Sequence, residues 1–253
     1  WEDDYTLQAV VDKTVIETGD DGTIGNTIVY VPFKAELATE EDAAAGFLSG
    51  ASYDIKFIGD GAFAGATSIT KIDIPQSVNI VQIGNGAFEG ASGLREVTAN
   101  SKQIGNRAFK GCTSLRSIEI GTGTDIIGTE CFQGCNSLQS ITLPDTIARI
   151  DAGAFASCIN LSNLDLSQIT ANLVIDDFAF YDCTSLNNVL FSGNTISIGK
   201  AAFAVNSVVS GSWRDITLPE RVATLGDYMF AGRSNLQTVI MPPAYGTNAT
   251  VKL

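Results

Sequence analysis

Apolar positions recur along this chain in a fixed phrase. Residues 127–144 read I-G-T-E-C-F-Q-G-C-N-S-L-Q-S-I-T-L-P, and versions of that phrase return eight times. An aromatic marks each copy: Phe63, Phe88, Phe109, Phe132, Phe155, Phe180, Phe203 and Phe230. The spacings are 25, 21, 23, 23, 25, 23 and 27 residues. Five residues ahead of each marker sits an aliphatic, from Ile58 to Leu225, and one residue ahead a small or flexible side chain such as Ala87, Cys131 or Met229. Six residues after it comes Ile69, Leu94, Leu115, Leu138, Leu161, Leu186 or Leu236. A period of 20 to 30 residues with an L-x-x-I-x-L core predicts a solenoid, because one unit cannot bury its apolar face alone.

The core alternates with period two, as in Ile118/Ile120, Ile141/Leu143 and Leu164/Leu166, which predicts a strand with one buried face. From the last strand residue to the next copy's aliphatic the separations are 9, 5, 7, 7, 9, 7 and 7. They differ only by steps of two. A one-residue change would turn every side chain of an extended segment to the other face, so this segment is also predicted to be extended, giving a second strand per turn.

The pattern I-G-x-x-A-F-x-G-C-x-S-L-x-x-I-x-L-P resembles the leucine-rich repeat of the bacterial BspA-like type, over about residues 58 to 243. The resemblance implies a right-handed leucine-rich-repeat solenoid, with about eight repeats and a parallel strand in each. It also implies a non-catalytic binding or adhesion protein at the cell surface. The family brings no catalytic residue with it.

Residues 1–57 stand outside the pattern and are expected to cap the exposed apolar end of the stack. Leu7–Glu17 and Ile28–Val31, separated by the turn sequence T-G-D-D-G, read as a β-hairpin. Residues 34–50 read as a helix, with Thr39 as N-cap, acids in the first turn and Gly50 at its end. A less regular zeroth repeat between Phe47 and Phe57 is the alternative. Residues 58–243 carry the repeats and 244–253 form a short tail. The seventh repeat differs: Val205–Ser212 replaces the usual G-C-x-S, and Trp213, ten residues after Phe203, fills the leucine slot.

The chain carries 15 bases and 28 acids, a net charge of −13. Residues 1–57 hold 12 of those acids and 3 bases. This balance argues against nucleic acid or an anionic membrane as partner. No apolar run approaches the length needed to span a bilayer. The chain begins at Trp1 with no signal peptide visible, so it reads as a mature or trimmed product lacking its targeting segment.

No histidine is present, so the usual triads and the commonest general base are missing. Acid pairs such as Asp176/Asp177 fall outside the packing slots, with nothing in the sequence to hold them as a catalytic dyad. Gly59-x-Gly61 recurs as a repeat part and lacks the strand–turn–helix setting of a dinucleotide loop. Asp20, Asp21 and Asn26 lack the spacing of a calcium loop. No metal or cofactor is expected.

Cys112, Cys135, Cys158 and Cys183 lie three residues after their markers, where the first two repeats have Ala66 and Ala91. The slot therefore wants a small apolar side chain, and these cysteines, with Cys131, read as buried free thiols. Stacked parallel Cβ vectors suit a disulfide poorly.

Along each repeat strand two positions point away from the core. They are Lys71/Asp73, Glu96/Thr98, Ser117/Glu119, Ser140/Thr142, Asn163/Asp165, Asn188/Leu190, Asp215/Thr217 and Thr238/Ile240. Stacking predicts a polar ribbon two side chains wide, able to take a protein or glycan ligand. The competing expectation is a structural spacer in a larger surface protein, its Ser, Thr and Asn being merely compatible with strands.

Overall fold

The protein was analysed as a computed structural model that describes residues 5–7, 15–18, 24–30, 34–36, 52–74, 80–206 and 213–241, with side chains from residue 57 onward. The N-terminal strands are β1 (Tyr5–Leu7), β2 (Val15–Thr18), β3 (Ile24–Tyr30), β4 (Lys34–Glu36) and β5 (Ser52–Ile58). Two kinds of strand then alternate: β6 (Ile69–Ile74) and β7 (Ile80–Ile83), β8 (Glu96–Ala99) and β9 (Ser101–Ile104), β10 (Ser117–Ile120) and β11 (Ile126–Ile127). They continue with β12 (Arg149–Ile150), β13 (Asn163–Asp165) and β14 (Leu173–Ile175), β15 (Asn188–Leu190) and β16 (Thr195–Ile198), β17 (Asp215–Thr217) and β18 (Thr224–Leu225), and β19 (Thr238–Ile240).

The architecture is a parallel β-solenoid. The L-x-x-I-x-L segments pair in parallel on one face, as β6–β8–β10, β13–β15 and β17–β19, with Glu119 bridged to Thr142 in between. The second strand of each turn builds an opposite parallel sheet in the order β5-β7-β9-β11-β12-β14-β16-β18. This is the extended segment that the steps of two predicted. The two sheets enclose the aliphatic slots, and Ile83, Leu94, Ile127, Leu138 and Ile175 are fully buried.

The phenylalanines fill the middle of the stack. From Phe63 to Phe203 successive rings lie 5.1–5.3 Å apart and within 11° of parallel. Their backbone makes a further ladder: Phe132 N–H donates to Ala154 O of the next turn at 2.7 Å, and the same bond runs from Phe63 to Phe203. The residue two ahead of each marker has positive φ in every repeat, including Glu130 (54°), Phe178 (57°) and Tyr228 (60°). That strained conformation ordinarily favours glycine, and here the ladder on both sides imposes it. The glycine four ahead of the marker has a different cause. A Cβ on Gly226 would lie 2.2 Å from backbone atoms of the turn before.

The sequence reading missed a polar ladder beside these turns. Asp60 Oδ1 accepts the N–H of Asn85, Asn85 Oδ1 that of Asn106, and Asn106 Oδ1 that of Thr129. Each side chain satisfies a backbone donor that the turn leaves open.

At the N-terminal end, β2 and β3 pair antiparallel, as expected of a hairpin; its turn lies outside the described residues. In addition β3 joins β6 and β1 joins β5, both in parallel, so this segment extends both sheets of the stack. One expectation needs correction. Residues 34–36 are not the start of a helix but strand β4, paired antiparallel with β5, where edge pairing prevails over local propensity. The rest of that expected helix, the zeroth-repeat alternative, the Asp20/Asp21 turn and the tail 244–253 lie outside the described residues.

Candidate binding face

The polar ribbon exists in register. Lys71 stands beside Glu96 and Asp73 beside Thr98; Glu96 and Thr98 stand beside Ser117 and Glu119. Asn163 and Asp165 pair with Asn188 and Leu190, and Asp215 and Thr217 with Thr238 and Ile240. Between them Ile118, Leu164, Val189 and Ile216 point into the core, so burial alternates along each strand. Lys71, Asp73 and Thr98 are half-buried, while Glu96, Glu119, Thr142, Asn163, Asp165, Asn188, Asp215 and Thr217 are exposed. Leu190 and Ile240 leave 48% and 50% of their surface open, two apolar side chains toward one end of a polar face.

Few of these groups are consumed internally. Lys71 Nζ lies 3.5 Å from Glu96 Oε2, an exposed pair of small energetic weight. Asp165 Oδ1 accepts from Ser167 Oγ at 2.6 Å and Ser167 N–H at 2.9 Å, and these bonds hold its carboxyl below the usual range. Asn163 donates only to neighbouring Ser162 Oγ.

The other sequence candidates have structural work. Asp176 Oδ1 accepts the N–H of Asp177, and Asp177 Oδ1 accepts that of Lys200. The expectation that nothing holds this acid pair is therefore corrected: each carboxylate caps a backbone donor of the stack. Trp213 is buried, with Phe203 and Phe230 edge-on at 6.1 and 5.6 Å, so its slot is a core slot. Inserted residues 207–212 lie outside the described residues.

All five cysteines are free and buried. The thiols of Cys112, Cys135, Cys158 and Cys183 donate to the carbonyls of Phe88, Phe109, Phe132 and Phe155, one turn back, at 3.2–3.3 Å. Burial pushes Cys112 and Cys183 up to about 12 and the other three well above 9.0.

Arg233 occupies the cysteine slot of the eighth repeat and was not foreseen. Its Nε donates to Phe203 O, Nη1 to Leu186 O and Nη2 to Cys183 O, each at 2.9 Å. Its guanidinium lies 5.1 Å from the centre of the Trp213 ring. Burial lowers it to about 10, so it keeps its charge at neutral pH.

Among the described residues no helix is long and apolar enough to cross a membrane, and no group of three or more His, Cys, Asp or Glu is arranged to hold a metal. No curated protein matches the sequence. The chain is similar to a leucine-rich repeat protein from Bacteroides ovatus, at 25% identity over 92% of this chain and 70% of that one, with a TM-score of 0.52. It shares its fold with a leucine-rich repeat protein of T. pallidum, at 20% identity over 88% and 87% of the two chains, with a TM-score of 0.58. The profile described as BspA type Leucine rich repeat region matches in six copies over residues 56–174 and 169–247. With well over half its length matched, the chain belongs to the BspA-type leucine-rich repeat family.

Proposed function

We propose that this chain is a non-catalytic binding module of the cell exterior, taking a protein or glycan ligand on the exposed strand face. The observation that supports this reading is the ribbon itself. Stacked strands present in-register blocks of mostly polar side chains, over residues 71–142, 163–190 and 215–240, most of them exposed and not engaged within the fold. A solenoid makes such a face extended and rigid, which lowers the cost of ordering it on binding. The continuous phenylalanine stack also supports a second reading, a stiff spacer within a larger surface protein.

The test is binding of the purified protein to an array of extracellular-matrix proteins and glycans at physiological salt. A ligand that binds the native chain and is lost on changing Asn163, Asp165 and Asn188 together to alanine supports the ribbon. A ligand indifferent to that change contradicts it, and an array with no ligand favours the spacer.

A further inference from the structure

The residue just ahead of each face strand adds a third column to the ribbon, stacked by its own backbone bonds. Arg95 N–H donates to Thr70 O, Arg116 to Arg95 O and Gln139 to Arg116 O. The eight positions of this column hold three arginines, Arg95, Arg116 and Arg214, and no acid. All three are exposed, and none lies within ion-pair distance of a carboxylate among the described residues. The column three residues further along the strands holds three acids, Asp73, Glu119 and Asp165, and no base. Between them runs a middle column that is neutral from Ser117 to Asn188, with Lys71 and Glu96 beside each other at its start and Asp215 next to Arg214 toward its end.

Charge is therefore sorted across the face. One edge is basic and the other acidic, about 10 Å apart at ~3.3 Å per residue. That separation is too long for the two edges to neutralise each other by contact. Within an edge, neighbouring turns place Arg95 beside Arg116, an arrangement of like charges that disfavours the free protein slightly. A polyanion that satisfied the arginines would meet Asp73 and Glu119 at the other edge, and a polycation would meet the arginines.

Resting on the ribbon reading above, we infer that this face recognises a single α-helical polypeptide segment carrying acids along one flank and bases along the other. The dimensions agree. A helix is about 10–12 Å across, the width of the three columns, and its flank repeats every 4.5–6 Å, close to the ~4.8 Å spacing of stacked strands.

The probe is a synthetic helical peptide with a glutamate stripe and a lysine stripe on opposite flanks. An isomer of equal composition with its charges shuffled, and heparin, serve as comparisons, titrated by NMR at low salt. The striped peptide is expected to bind at least about fivefold tighter than its isomer. Arg95→Glu with Arg116→Glu is expected to weaken it about tenfold, with an unchanged melting curve. Equal binding of the isomer, preference for heparin, or indifference to the charge reversal overturns the inference. An array ligand that depends on Asn163, Asp165 and Asn188 but ignores the reversal also overturns it, while leaving the ribbon reading intact.

Discussion

Repeats two to six and the junction of repeats seven and eight solve the same packing problem with opposite means. In the regular stack, each slot three residues past the marker holds a methyl- or thiol-sized group, and from repeat three each thiol donates to one carbonyl of the turn before. At the junction the slot falls on exposed Asn206, the leucine position moves to Trp213, and the Phe203–Phe230 pair opens to 5.9 Å and 21°. Arg233 then makes the bond to Phe203 O that a thiol would have made, and reaches back a further turn to Leu186 and Cys183. Many small equal contacts hold the regular part; one long side chain with several donors holds the irregular part. A buried cation is costly to desolvate, and here three carbonyls and the Trp213 ring compensate it.

The largest effect is expected in the regular stack. Phe132→Ala removes a ring packed on both faces and is expected to cost about 3–5 kcal/mol in urea denaturation. Next comes the junction. Arg233→Ala leaves the Phe203 and Leu186 carbonyls without a donor, Cys183 O keeping the N–H of Leu186, and is expected to cost about 3 kcal/mol, with Arg233→Lys recovering less than half. Replacing a buried charge by an apolar side chain is sometimes neutral, so a fully stable Arg233→Met variant would break the comparison. Cys135→Ala sharpens it, at about 1 kcal/mol for one small group in a slot that also accepts alanine.

The thiols also set a pH window. The folded state keeps protons that the unfolded chain releases near 9, so this stabilisation is full below about pH 9 and is lost as pH rises toward 12. Arg233, depressed to about 10, acts in the opposite sense above that pH, but five thiols outnumber it. Stability is expected to be flat from pH 6 to 8.5 and to fall above 9. Thiol labelling of native protein should be slow at all five cysteines and fast after denaturation; rapid labelling of native Cys135 or Cys158 would contradict the inward ladder.

Much of this was legible because a solenoid writes its packing into a period. The phenylalanine markers gave the ring stack, the steps of two gave the second sheet, and the alternation at Ile118/Ile120 gave the ribbon. What escaped depends on partners distant in sequence. Arg233 in a cysteine slot reads as a surface exchange until its reach to Cys183, 50 residues away, is seen. Asn85 and Asn106 read as turn residues until each is found capping the next turn. Lys34–Glu36 became a strand because β5 offers an edge, which local propensity does not encode. The basic column from Arg95 to Arg214 was open to view, but its meaning required knowing that these residues stack.

The comparison also separates two places to test for a ligand, since the ribbon residues Asn163, Asp165 and Asn188 lie in the regular part and residues 205–212 fall at the junction. The direct test sets two variants against one array ligand: Asn163, Asp165 and Asn188 changed together to alanine, and residues 205–212 shortened to the four-residue G-C-T-S form of the third repeat, residues 111–114. Both should remain folded, and the ribbon variant, with three surface changes and the Asp165–Ser167 bonds removed, should be within about 2 kcal/mol of native stability. The account predicts that the ribbon variant loses the ligand and the shortened variant keeps it. Loss in the shortened variant with full binding in the ribbon variant would contradict it and move recognition to the junction.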